Sequence, residues 1–228
     1  MERLLEHGRF GNEIIVGNLR VEVSAPVLTW HQHKMQFIEG EGARRRHPKQ
    51  KIDLIVLHWT GGEATARQTF KVLTGRELGV EFVIDRQGLI WQFADPARID
   101  TFDAGPVNPR SVGIEMTNYG FRRPNTPVPR HGRVRPLWRQ LLNGRQREFA
   151  SFFPAQVDSA VHLCDALCRV LPAVPRRIPR DKRGAVLKRT MTRSELREYS
   201  GILGHFHVSR RKSDPGTDLM TMFEEAGY

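Results

Sequence analysis

The sequence predicts an α/β protein: a central mixed β-sheet flanked by helices, with a short N-terminal β extension. Three stretches carry that expectation. Residues 52–57 (Ile-Asp-Leu-Ile-Val-Leu) form a short apolar run, rich in β-branched side chains and followed by Gly61-Gly62, the pattern of a strand buried on both faces. Residues 80–93 read as a hairpin with its turn at Arg86-Gln87-Gly88. Residues 154–171 bring Val157, Ala160, Val161, Cys164, Leu167, Cys168 and Leu171 onto one helical stripe.

Taken in order, residues 12–16 are apolar, Gly17-Asn18 supplies a turn, and Leu19, Val21 and Val23 alternate with Arg20, Glu22 and Ser24, so residues 12–30 predict a half-buried hairpin. The stretch that follows, residues 30–33, is expected as a surface segment beside the main domain. His31 and His33 share one side if that strand continues through them, but no further metal-ligand type is close. Residues 39–50, with Gly40, Gly42 and Arg44-Arg45-Arg46, read as a solvated linker. A helix is expected over 63–74, with Ala66, Phe70 and Leu73 on one face and Gly75 ending it. A strand is expected over 111–117. Residues 121–152 are rich in proline and arginine and contain Trp138; they read as an insertion over the active-site face or as a loop pinned by one buried tryptophan. Pro154 suits the first turn of the next helix and Pro172 stops it. Residues 175–189 form a second basic, proline-broken loop, and 218–226 a last helix with Leu219, Met222, Phe223 and Ala226 inward.

At 228 residues and 39% hydrophobic content the chain suits one sizeable core. Two cysteines, Cys164 and Cys168, fall four apart on the helical stripe and read as core residues rather than a disulfide or a metal pair. No apolar run is long enough to cross a bilayer. The first eight residues include acidic side chains and no apolar core, so no signal peptide is expected; the protein would act in the cytoplasm or reach its substrate by lysis or dedicated secretion. A formal charge of +11 points to an anionic partner.

The chemistry-bearing residues cluster late. Gly204-His205-Phe206-His207 and Lys212-Ser213-Asp214-Pro215-Gly216 gather two imidazoles, a lysine and a carboxylate, and the Pro-Gly turn fixes the local backbone. His58 follows the buried strand, where open α/β sheets place ligands; alone it reads equally as an imidazole satisfied by a backbone carbonyl. Glu115 reads as a general base or a surface strand carboxylate, and Lys212 as an oxyanion partner or a solvated charge.

Three motifs in one order, His58-Trp59-Thr60-Gly61-Gly62, Ser111-Val112-Gly113-Ile114-Glu115-Met116 and Gly204-His205 with Lys212-Ser213-Asp214-Pro215-Gly216, resemble those of the zinc-dependent N-acetylmuramoyl-L-alanine amidases. Their type-2 amidase fold is shared with phage lysozyme-type amidases and peptidoglycan recognition proteins. The resemblance covers residues 50–226. It implies Zn2+ held by His58, His205 and Asp214, with Glu115 and Lys212 catalytic. Trp59, Thr60, Gly61, Glu81 and His207 are expected on the substrate side, Glu81 in reserve as base and His207 as a further donor or alternative ligand. Relatives often start the hairpin with Tyr-His and place a histidine before Ala-Gly; here Val80, Glu81 and Asp103 stand there, which makes this site more acidic. Residues 1–49 would then be an N-terminal hairpin extension and basic linker, and 50–228 the zinc amidase domain.

The activity so implied is hydrolysis of the amide between N-acetylmuramic acid and L-alanine, in peptidoglycan or a muropeptide, by a monomer that also meets anionic envelope polymers. No nucleic-acid partner is expected. The competing readings are a peptidoglycan-binding module without catalysis, a recycling amidase acting on soluble anhydro-muropeptides, and a basic nucleic-acid-binding protein, whose DNA binding would be steeply salt-dependent and indifferent to zinc.

Overall fold

The computed structural model describes residues 10–62, 64–120 and 137–228. In chain order the strands are β1 (Gly11–Val16), β2 (Leu19–Thr29), β3 (Ala43–Arg45), β4 (Leu54–Trp59), β5 (Phe82–Ile84), β6 (Ile90–Gln92), β7 (Ile99–Thr101), β8 (Ser111–Met116), β9 (Leu137–Leu142), β10 (Arg145–Ala150) and β11 (Gly201–Gly204). The helices are α1 (Trp30–His33), α2 (Ala66–Thr74), α3 (Pro154–Val170), α4 (Arg193–Glu198), α5 (His205–Val208) and α6 (Thr217–Glu225), with a 3₁₀ helix at Gly105–Arg110. Among the described residues the main sheet has seven strands in the order β1-β2-β6-β5-β8-β4-β11. It is mixed, as expected: β5, β8, β4 and β11 run parallel, while β1/β2 and β5/β6 are antiparallel.

β4 lies inside the sheet, between β8 and the edge strand β11, and both of its faces are apolar. Ile55 and Leu57 join Val112, Ile114 and Met116 of β8 in a core completed by Leu163, Cys164 and Leu167 of α3. Leu54 and Val56 point the other way, to Leu203, Ala104 and Val107. Each fully buried aliphatic side chain of this kind contributes about 1.5–3 kcal/mol. Cys164 is buried and Cys168 half-buried on the α3 stripe, in line with a packing role.

Several local expectations are corrected. The N-terminal hairpin turns at Gly17, whose φ of 63° suits glycine. It belongs to the main sheet, because β2 pairs in parallel with β6. The Gln92 amide reinforces the join, accepting from Ile15 N (2.9 Å) and donating to Ile15 O (2.7 Å). Residues 30–33 form a helical turn rather than a strand, so His31 is exposed while His33 is buried with Nε2 2.9 Å from Gln92 O. Residues 39–50 are not wholly a linker: β3 pairs with β7, and Arg46, 4% exposed, donates to Pro109 O and Ser111 O. α2 starts at Ala66 instead of Glu63 because Thr65 caps it by accepting from Gln68 N. Of the basic insertion, residues 121–136 lie outside the described residues. Its remainder forms the β9–β10 hairpin, whose Gln140 Oε1 accepts from the Thr217 and Asp218 amides at the start of α6. No helix among the described residues is long and apolar enough to cross a membrane.

Candidate metal centre and active-site cleft

Parallel register brings the chemistry together. His58 is paired with Glu115 across β4 and β8, and Leu57 with Gly204 across β4 and β11, so His205 begins α5 level with His58. All three residues stand at the C-terminal edge of adjacent parallel strands, where an α/β sheet leaves room for a ligand. Asp214 returns to this edge through a backbone bond from Phe206 N to Asp214 O (3.0 Å), and Gly216, with φ 85°, turns the chain into α6. Gly204 is needed here, since a Cβ at that position would lie 2.6 Å from Pro215 Cδ.

One atom of Asp214 faces both imidazoles. Its Oδ2 lies 3.1 Å from His58 Nδ1 and 3.0 Å from His205 Nδ1. The possible ligand atoms of the three residues lie within 4.8 Å of one another, and all three residues are buried. On its far side, His58 Nε2 is 3.0 Å from Asp103 Oδ2. Burial pulls the His58 pKa down, but the hydrogen bonds to Asp103 and Asp214 outweigh it and lift the imidazole to about 10. Burial alone would raise the Asp214 carboxyl; the bonds from His205 and His58 hold it well below its usual range instead. His205 moves down, chiefly by burial. A buried carboxylate oxygen aimed between two Nδ1 atoms, with a second carboxylate behind one ring, is an arrangement that favours positive charge at its centre. Two imidazoles and a carboxylate are also the donor chemistry of zinc sites that keep an open position. The residues therefore fit a zinc ion.

Beside this cluster Glu115 is 8% exposed. Burial raises its carboxyl to about 7; the His58 charge opposes that shift, while Asp214 and Asp103 add to it. His58, His205, Asp214, Glu115 and the exposed Lys212 all line one cleft of about 380 Å³. Trp59, Thr60 and Gly61 line it too. The Trp59 indole packs on Phe149 (5.1 Å between centroids) and against Gly120, where a Cβ would lie 2.3 Å from the ring. Thr60 Oγ1 donates to Gly62 O (2.7 Å), which fixes the loop leaving β4.

Two expected substrate contacts are placed elsewhere. Glu81 is fully buried, its Oε2 accepting from Thr101 Oγ1 and Gly113 N at 2.7 Å each, with the Arg46 guanidinium 3.7 Å from Oε1. Standing just before β5, it ties that end of the strand to β8. His207 is also fully buried: Nδ1 accepts from Gly204 N (3.0 Å) and Nε2 lies 2.8 Å from Leu187 O. Both ring nitrogens are used by backbone, which leaves none for substrate or metal.

Burial lowers the His207 pKa from 6.5 to about 4. A neutral imidazole that resists protonation stabilises the fold above its unfolded pKa, and this stability is lost as pH falls towards the folded value. The stability advantage of the native protein over His207→Gln should therefore shrink by roughly 3 kcal/mol between pH 7 and pH 4, read from urea unfolding at each pH. An unchanged difference would contradict the neutral, doubly bonded ring.

Asp103 is the site residue whose role sequence reasoning missed; its departure from the family pattern was visible, but its pairing with His58 was not.

The family profile described as N-acetylmuramoyl-L-alanine amidase matches residues 48–217. The chain belongs to this amidase family. Among solved structures, this amidase-family chain is similar to the endolysin N-acetylmuramoyl-L-alanine amidase LysCS from Clostridium intestinale URNW (14% identity, TM-score 0.50, covering 84% of this chain and 93% of that one). It is also similar to the Ph2119 endolysin from the Thermus scotoductus MAT2119 bacteriophage Ph2119 (16%, TM-score 0.50, 88% and 98%). Drosophila peptidoglycan recognition protein SD aligns as well (14%, TM-score 0.51, 89% and 95%). At these identities the likeness concerns the fold. No curated protein sequence matches the chain.

Proposed function

We propose that the protein is a zinc-dependent peptidoglycan amidase that hydrolyses the bond between N-acetylmuramic acid and the L-alanine of the stem peptide. The observation that carries this reading is the meeting of His58, His205 and Asp214 beside buried Glu115 at the floor of one cleft. His58, His205 and Asp214 would hold the ion; when bound, zinc polarises a scissile carbonyl and acidifies a water. Glu115, placed on β8 across from His58, takes the proton from the attacking water and returns it to the departing alanine nitrogen. Its raised affinity for protons suits both transfers. Lys212 supplies positive charge to the oxyanion that develops on the muramoyl carbonyl. Gly61 leaves space for the substrate backbone, and Trp59 forms a rigid wall of the cleft. The cluster lies in a buried floor open to the cleft, so the chemistry proceeds where few waters compete.

The family profile and the endolysin-like fold support this reading. Residues 50–228 are proposed as the catalytic domain, with residues 1–49 contributing strands to its sheet. Release by lysis fits the reading, as does attraction of the +11 chain to anionic envelope polymers.

Digestion of purified sacculi, followed by mass spectrometry of the soluble fraction, tests the proposal. Free stem peptides beginning with L-alanine, intact glycan strands and suppression by a chelator are expected. Products cut within the glycan or between stem residues would overturn the bond assignment. Binding to sacculi without any release would favour a non-catalytic module.

A further inference from the structure

We propose that Asp103 is a positioning residue that holds the His58 ring so that Nδ1 faces the centre of the site. The inference rests on the zinc reading above and adds a residue to it. Asp103 lies in the loop between β7 and the 3₁₀ helix, and that loop is tied down by Ala104 N donating to Asn108 Oδ1 (2.7 Å). Its side chain is 5% exposed and its Oδ2 lies 3.0 Å from His58 Nε2. An imidazole has two nitrogens, and the partner of one fixes which of them carries the proton. A carboxylate at Nε2 keeps the proton there and leaves the Nδ1 lone pair for a cation shared with His205 and Asp214. It also makes the ring a stronger donor.

The surroundings are built to hold this carboxylate. A Cβ on Gly113 would lie 2.2 Å from Asp103 Oδ2, so the missing side chain in the middle of β8 is the space the carboxylate occupies. The Gly113 amide donates to Glu81, whose other oxygen faces Arg46. Glu81 thus holds the strand that carries Glu115 through the Gly113 amide, while Asp103 lies over that strand's only gap in side chains.

Zinc affinity measured by chelator competition, together with the His58 Nε2–H resonance in the zinc-loaded protein, tests the role. Asp103→Ala should weaken zinc binding roughly 10- to 100-fold and make the Nε2 proton exchange rapidly with water. Asp103→Asn keeps a carbonyl acceptor of the same size and should recover part of the affinity and the protected proton. If both variants bind zinc like the native chain and keep a protected proton, the positioning role is wrong. His58→Ala serves as the reference: if it binds zinc as the native chain does, the metal assignment itself fails, and the Asp103 role with it. A loss of thermal stability with affinity and resonance unchanged would assign Asp103 to folding alone.

Discussion

Asp214→Asn is expected to remove zinc binding and peptidoglycan cleavage together while the chain stays folded. Asp214 Oδ2 is the one atom that meets both His58 Nδ1 and His205 Nδ1. Asparagine fills the same volume without the negative charge that draws a dication between the rings. His58→Ala should have the same effect on metal and activity, at a larger cost in stability, because it leaves the buried Asp103 and Asp214 carboxylates without their shared partner. Thermal unfolding separates the two consequences. Zinc at a hundredfold excess over its dissociation constant should stabilise the native protein by about 2.7 kcal/mol, and neither variant should respond. A variant that still gains stability from zinc and still releases stem peptide would remove Asp214 from the metal centre.

Glu115→Ala should leave zinc binding near the native level and lower the turnover number by roughly 10²- to 10⁴-fold, the usual weight of general acid–base catalysis. The geometry supports this separation: Glu115 is a neighbour of His58 in the β4–β8 register but is not one of the three clustered donors. Its buried carboxyl binds a proton up to about pH 7 when no dication is present, so the base form grows as pH rises and an added cation extends it to lower pH. The rate of the native enzyme should accordingly climb with pH on its acid side, and that limb should vanish from the residual activity of the alanine variant. Steady-state kinetics on a soluble muramoyl peptide, paired with zinc titration, measures both. Full activity would free Glu115 of the role. Glu81 is a poor substitute, because both of its oxygens face protein groups away from the cleft.

Much of the fold was legible because burial and periodicity coincide. The run in β4 is apolar on both faces since both faces are covered, and the α3 stripe is continuous since one helix face meets the sheet. The convergence of His58, Glu115 and His205 was implied by the family resemblance of the three motifs, and the parallel register of β8, β4 and β11 is what brings the residues together. What escaped depends on contacts that no local pattern records. Arg46 sits in a run of three arginines that reads as solvated, yet it is held by two carbonyls contributed from beyond residue 108. His207 differs from His205 only by two positions along one helical turn, and that rotation turns its ring from the cleft into the backbone of residues 187 and 204. Asp103 lies in a loop, where sequence spacing says nothing of what a side chain will meet. The N-terminal hairpin was recognised, but its parallel pairing with β6 rests on a partner some sixty residues away in sequence.

X-ray diffraction from crystals grown with zinc, collected just above and just below the zinc absorption edge, probes the centre most directly. The expected result is a single strong anomalous peak that disappears below the edge, about 2.0–2.2 Å from His58 Nδ1, His205 Nδ1 and a carboxylate oxygen of Asp214, with its remaining side open to the cleft. A peak elsewhere in the molecule, or an ion closed off by a fourth protein ligand, would contradict it.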